Sequence, residues 1–304
     1  MWGSAHRLAG LVPAIAACVA AMLLGSAALA QETPSEPRRI GVFGDSLADG
    51  LWIGLQRGLR RDARAGEIEQ LSEVATGLAN YVYRDISEKT RRQLQQGRYD
   101  VAVVMFGSND IQGIRTDRGV FRFRSAGWEE VYRERVRDVI TQLQAHGAEV
   151  YWTGLPVMRS TGYDANTVYL NAIFREEAEA LGAIFVSTRE ASSDENGEYA
   201  AYLPNSRGAP RLMRDDDGIH FTMNGYARIA APVVEAIQAG WDNPRPRPAP
   251  VMAEAVIEAA EPEPQGLPAG WLDLSINGQA YVCQPVGLDG QPLGASAASG
   301  AAGN

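Results

Sequence analysis

The run Val-Ala-Val-Val-Met-Phe at residues 101–106 constrains the fold more than any other feature, because every one of its side chains is apolar. A strand that is apolar on both faces must be covered on both faces. In a chain whose strands alternate with helices, that describes a central strand of a parallel sheet. The rest of the segment 39–241 repeats the alternation. Residues 39–43 read as a first strand, 68–74 as a weaker second, and 149–153 and 183–186 as the fourth and fifth. Helical patterns fall at 51–64, 85–96, 128–146 and 166–181, and a last one at 223–239 starts behind Thr222 as its N-cap. Right-handed crossovers between parallel strands put helices on both sides of the sheet. The expected fold class is therefore α/β, a three-layer α/β/α sandwich on a five-stranded parallel sheet.

The flanks differ in character. Arg7, an apolar stretch at 8–24 and the small-residue site Ala28-Leu29-Ala30 predict a signal peptide over residues 1–30, cleaved after Ala30. Cys18 sits in a lipobox-like context, but the residues after it stay apolar where a lipid-modified terminus would turn polar. A periplasmic or secreted protein is the expectation. Residues 31–38 read as a short linker, and 242–268 as a Pro/Ala/Glu-rich spacer without periodicity. Within 269–304, alternating apolar positions surround Asn277-Gly278, the pair that a type I′ hairpin requires, before a low-complexity tail. A lone hairpin is marginal in water. This one is expected to dock on something, an envelope protein or peptidoglycan.

Charge and cysteine content remove whole classes. With 28 basic and 37 acidic residues the formal charge is −9, and losing Arg7 with the signal peptide gives 27 − 37 = −10. No nucleic-acid partner is expected. Loss of Cys18 leaves Cys283 as the mature chain's single thiol, so no intrachain disulfide forms, and Cys283 has no histidine near it in sequence. No metal is expected either. Asp215-Asp216-Asp217-Gly218 lacks the alternating ligands and closing Glu of a calcium loop, and the two mature histidines, His146 and His220, are too few for a His-rich zinc site.

In an open parallel sheet, reactive groups collect beyond the carboxyl ends of the strands. After the first strand stands Gly44-Asp45-Ser46-Leu47-Ala48-Asp49-Gly50; the following helix points its N–H groups toward the serine and favours negative charge there. After the second stands Thr76-Gly77-Leu78, where a bare backbone can offer an N–H to an oxyanion. After the third, Gly107-Ser108-Asn109-Asp110 offers a side-chain amide at the same rim. Just before the last helix, Asp217-Gly218-Ile219-His220 places a carboxylate three residues ahead of an imidazole. Folded back, that carboxylate holds one ring nitrogen while the other takes a proton from a serine. His146 sits at the end of a long helix, as a cap would.

These four stations, in this order, resemble the signature blocks of the SGNH (GDSL-like) hydrolases over residues 39–241. Ser46 in GDSLADG, Gly77 in VATGLANY, Asn109 in GSND and His220 in DGIH match the family's Ser, Gly, Asn and His. The resemblance implies Ser46 as nucleophile, His220 as general base and acid, and Asp217 as orienter of the imidazole. It further implies an oxyanion hole from the Ser46 and Gly77 N–H groups with the Asn109 side chain, and no cofactor. Arg159 and Tyr163, with Trp152, flank the end of the fourth strand; Arg159 and Tyr163 are the candidate substrate contacts. Asp45 and Asp110 are expected to bond loop backbone, and the four arginines between 115 and 124 to form a solvated loop rather than a cationic lip. The expected reaction is hydrolysis of an O-acyl ester, acetyl first, on an acylated carbohydrate or small ester. An O-acyltransferase, a lipid esterase or lysophospholipase, and a non-catalytic envelope scaffold are the alternatives.

Overall fold

The computed structural model describes residues 36–205, 207–245, 272–276 and 279–283. The predicted signal peptide, the spacer beyond residue 245 and the low-complexity tail lie outside those residues. Five parallel strands form one sheet in the order β2-β1-β3-β6-β7. They are β1 (Arg38–Gly44), β2 (Ala65–Gln70), β3 (Val101–Met105), β6 (Glu149–Thr153) and β7 (Ile184–Val186). Every residue of β3 is buried, as its unbroken apolar sequence requires. Helices α1 (Ser46–Leu59), α2 (Ile86–Gln96), α3 (Ala126–Ala145), α4 (Thr161–Ala180) and α5 (Met223–Asp242) cover the sheet; α1 packs on α5, while α2 packs on α3 and α3 on α4. The three-layer α/β sandwich is the fold observed. Among the described residues, no helix is long and apolar enough to cross a membrane.

Several boundaries differ from expectation, each for a local reason. Helix α1 starts at Ser46, not Leu51, because the Asp45 carboxylate caps it by accepting the Leu47 N–H at 2.9 Å. Helix α4 starts at Thr161, not Asn166, behind the Ser160 hydroxyl. Strand β2 ends at Gln70; residues 71–74 leave the regular ladder, although the Leu71 and Glu73 N–H groups still donate to Val42 and Gly44 at 2.8 and 2.9 Å. Two short antiparallel pairs have no clear sequence signal: β4 (Ile114–Thr116) with β5 (Gly119–Phe121), and β8 (Tyr202–Pro204) with β9 (Pro210–Leu212). The first lies in the arginine-rich run, anchored by buried Ile114 with Arg115, Arg118 and Arg122 exposed. Separately, β10 (Leu272–Ile276) and β11 (Gln279–Cys283) pair antiparallel with Ile276 opposite Gln279.

The contact that positions the two halves of the rim is α1 on α5. Gly50 and Gly54 stand one turn apart on α1, facing Tyr226 and Ala230 one turn apart on α5. A methyl group on Gly50 would lie 1.9 Å from the Tyr226 ring, and one on Gly54 2.5 Å from the Tyr226 carbonyl oxygen. Only a hydrogen fits at either position, so the two backbones approach more closely than larger side chains would allow.

Gly54→Ala should therefore destabilise the protein by about 2 kcal/mol despite its better helix propensity, because the methyl meets backbone rather than a movable side chain. Urea denaturation measures this, and a variant as stable as the parent would refute the tight packing. Burial has a different consequence at Asp45, which is fully buried. Opposed by hydrogen bonds from Ser108 and Leu47, it pushes the carboxyl up from 3.8 to about 6. The folded chain therefore keeps a proton between pH 4 and 6 that the unfolded chain has lost. The stability Asp45 contributes is complete below about pH 4 and falls by about 3 kcal/mol as pH rises through 6. The stability difference between the parent and Asp45→Asn, which cannot titrate, should move by that amount across pH 4 to 7; a constant difference would contradict it.

Candidate active site

Strands β1 and β3 are neighbours although the chain visits β2 between them, so the loops after β1 and β3 flank the point where strand order reverses. Ser46 is the first residue of α1 and directly follows β1 and its cap. In that first turn the Leu47 N–H donates to the Asp45 side chain, and the Ala48 and Asp49 N–H groups donate to the Asp45 carbonyl. This leaves the Ser46 N–H as the turn's free donor, beside its own hydroxyl and at the positive end of the helix dipole.

The opposite side of the site is the loop between β9 and α5. A backbone bridge between Arg214 and Phe221 closes it, and the Asp215 N–H donates to the His220 carbonyl at 3.0 Å. Inside this closure Asp217 Oδ1 accepts the N–H groups of Ile219 and His220 at 2.8 and 2.9 Å. Its Oδ2 accepts from His220 Nδ1 at 2.5 Å. A carboxylate can only accept, so the Nδ1 carries the hydrogen and Nε2 presents its lone pair. Ser46 Oγ lies 2.8 Å from that Nε2 and donates to it. Partial burial works against the Asp217 charge, but the imidazole and the two N–H groups outweigh it and hold the carboxyl down at about 2. The site is shallow, with the Asp217 and His220 side chains 46% and 33% exposed.

Gly77 and Asn109 meet on the third side. Asn109 Nδ2 donates one hydrogen to the Thr76 carbonyl at 2.8 Å, so the amide sits at the carbonyl end of the peptide unit whose opposite end is the Gly77 N–H. That N–H has no protein acceptor among the described residues. Gly77 admits no side chain, since a methyl there would lie 2.2 Å from Asp110 Oδ1. Asp110 is buried; it accepts the Ala79 N–H and the Tyr132 hydroxyl, each at 2.8 Å, and so fastens the loop after β2 to the loop after β3. Burial raises its pKa.

The structure brings Ser46, Asp217 and His220 into one hydrogen-bonded chain and puts Gly77 beside Asn109. The side chain of Arg159 lies on Gly218 of the loop between β9 and α5, with no acidic partner among the described residues. Tyr163 is less available than expected, because its hydroxyl donates to the Ser108 carbonyl. Trp152 is buried in the core, and His146 ends α3, where its Nε2 lies 3.1 Å from the Gly97 carbonyl. Sequence reasoning overlooks Ser108, whose N–H and hydroxyl donate to Asp45 Oδ2 at 3.1 and 2.7 Å and join the first rim loop to the third. It also overlooks Tyr132 and Arg214, whose buried roles leave no mark in local spacing.

Comparison with known proteins agrees with this architecture. The family model described as "Protein of unknown function (DUF459)" matches residues 39–236. No curated protein matches the sequence. Among solved structures, LAE5, an alpha/beta hydrolase enzyme from the metagenome of Lake Arreo, Spain, is 16% identical with a TM-score of 0.51; the match covers 66% of this chain and 95% of that one. The periplasmic domain of a lipopolysaccharide acetyltransferase from Salmonella ser. Paratyphi A is 13% identical with a TM-score of 0.49, covering 66% and 84%. Est24, a carbohydrate acetylesterase from Sinorhizobium meliloti, is 15% identical with a TM-score of 0.46, covering 66% and 99%. The chain belongs to the DUF459 family, and its five-stranded sandwich shares the fold of LAE5.

Proposed function

We propose that this protein is a serine esterase acting through an acyl-serine intermediate. One observation carries the reading: Ser46 Oγ, His220 and Asp217 form a continuous hydrogen-bonded chain beside the free Ser46 N–H. Ser46 Oγ attacks the ester carbonyl carbon while His220 Nε2 takes its proton, and Asp217 steadies the resulting imidazolium. The carbonyl oxygen, now negative, is met by the Ser46 and Gly77 N–H groups and the second hydrogen of Asn109 Nδ2. The C–O bond then breaks, and His220 returns the proton to the departing alcohol. Water, deprotonated by His220, attacks the acyl-serine, releases the acid and restores the hydroxyl. No step calls on a cofactor.

The openness of the site supports a small acyl group on a bulky alcohol, because the ester reaches Ser46 from solvent. With the export pattern of residues 1–30, O-acyl groups, acetyl foremost, on a cell-envelope polysaccharide are the substrate class of this reading. The protein would then work in the periplasm or outside the cell. Residues 269–304 would serve as a docking segment for an envelope protein or peptidoglycan; deleting residues 243–304 should then abolish envelope retention and leave catalysis intact.

Purified protein should hydrolyse p-nitrophenyl acetate faster than long-chain esters. Ser46→Ala and His220→Ala should each lower kcat by about 10⁴-fold or more with the circular dichroism spectrum unchanged. Equal activity in all three would sink the triad, and acyl transfer to an added glycan in place of hydrolysis would recast the enzyme as an O-acyltransferase. Asn109→Ala, which removes one oxyanion donor, should cost about 10²- to 10³-fold in kcat. A loss confined to KM would show instead that Asn109 only binds substrate.

A further inference from the structure

Behind the triad loop lies a buried cation that the reaction described above does not use. Arg214 is 1% exposed. Among the described residues no carboxylate pairs with it, and its Nε and Nη1 have no hydrogen-bond acceptor. The guanidinium lies over the Phe221 ring at 3.8 Å and faces Tyr199 at 5.0 Å. Burial lowers its pKa to about 10. Taking a guanidinium out of water is costly unless acceptors replace the solvent. The backbone acceptors it meets are the carbonyls of Gly218 and Ile219, which take hydrogen bonds from Nη2 at 3.1 and 3.3 Å.

Those carbonyls belong to the peptide units whose N–H groups hold the triad carboxylate. In a trans peptide the C=O and N–H point in opposite directions. The Gly218 carbonyl faces Arg214, so the Ile219 N–H of the same unit faces Asp217 Oδ1, at 2.8 Å. The Ile219 carbonyl faces Arg214, so the His220 N–H faces the same oxygen, at 2.9 Å. Two successive peptide units are thus gripped at both ends, by a cation on one side and an anion on the other. Hydrogen bonds in such a chain polarise one another, which strengthens both N–H donors toward Asp217. The Gly218 carbonyl also accepts the Arg159 N–H at 3.2 Å; no second donor meets the Ile219 carbonyl among the described residues.

We propose that Arg214 is a positioning residue of this site: by gripping the Gly218 and Ile219 carbonyls it turns the Ile219 and His220 N–H groups onto Asp217 and fixes that carboxylate against His220. The proposal rests on the reading of Ser46, His220 and Asp217 as the triad. It acts entirely through the loop, since Arg214 is sealed from the substrate by Phe221 and the loop itself.

The test compares the parent with Arg214→Met, which keeps the apolar stem and removes the donors, and Arg214→Lys, which keeps a charge with a single donor head. Two readouts are taken: ester hydrolysis, and the low-field proton resonance of His220 Nδ1, assigned by its absence in His220→Gln. In Arg214→Met, kcat should fall about 10- to 100-fold with KM within twofold, the range typical of a lost partner behind an active group. Its Nδ1 resonance should move upfield or broaden away, and Arg214→Lys should recover part of both. A folded Arg214→Met with parental kcat, or with lowered kcat and an unchanged Nδ1 resonance, would overturn the proposal and leave Arg214 a packing residue. Should Arg214→Met fail to fold, Arg214→Lys alone decides by the same two readouts: an unchanged resonance refutes the proposal. Should the parent hydrolyse no ester, the esterase reading fails, while the resonance in parent and variants still tests whether Arg214 holds the loop.

Discussion

The approach of α1 to α5 underlies the remainder of the site. Ser46 is the first residue of α1, and His220 stands three residues before the start of α5. The 2.8 Å separation of Ser46 Oγ from His220 Nε2 therefore depends on how far apart these two helices run. Gly50 and Gly54 set that distance, because side-chain atoms in their place would collide with Tyr226 and Ala230. Residues 174 apart in sequence meet because α1 has no side chain at Gly50 and Gly54, where the Tyr226 ring and Ala230 of α5 pack.

A second constraint acts through buried carboxylates. Asp45 joins the loop after β1 to Ser108 of the loop after β3, and Asp110 joins that loop to the one after β2. Both acids lie in full burial with no arginine or lysine among their hydrogen-bond partners, only N–H groups and hydroxyls. Such networks specify geometry sharply, since any loop movement leaves a buried oxygen without donors. They hold the loops that carry Ser46, Gly77 and Asn109 in a common frame. The Asp217 carboxylate differs. Asp217 is about half exposed and keeps its charge by three donors from its own loop, so its position depends on that loop's rigidity rather than on burial.

Much of this is legible in the amino-acid sequence. The unbroken apolar run of β3 and the alternation around it imply the sandwich, because burial on both faces leaves no room for polar alternation. Ser46, Gly77, Asn109, Asp217 and His220 stand out because each follows a strand or precedes a helix, where such a sheet gathers its chemistry. Helix starts are less legible. Asp45 and Ser160 are ordinary N-cap residues, yet in α4 the buried face begins only at Thr167, several residues past the cap, and masks it. The short pairs β4–β5 and β8–β9 leave no pattern, since three residues are too few to show a period.

The sequence by itself determined the layer architecture and named the candidate reactive groups, because hydrophobic periodicity and local turn chemistry act over a few residues. Only the tertiary structure decided their partners. The facing of Gly54 by Ala230 and the bonding of Ser108 to Asp45 and of Tyr132 to Asp110 all join segments distant along the chain. Even for the eight-residue closure that holds Asp217, the sequence names the carboxylate and the imidazole but not the guanidinium behind them. Whether Arg214 points to solvent or inward is settled by the Phe221 and Tyr199 rings that face it, and a residue's neighbours in sequence carry no record of that burial.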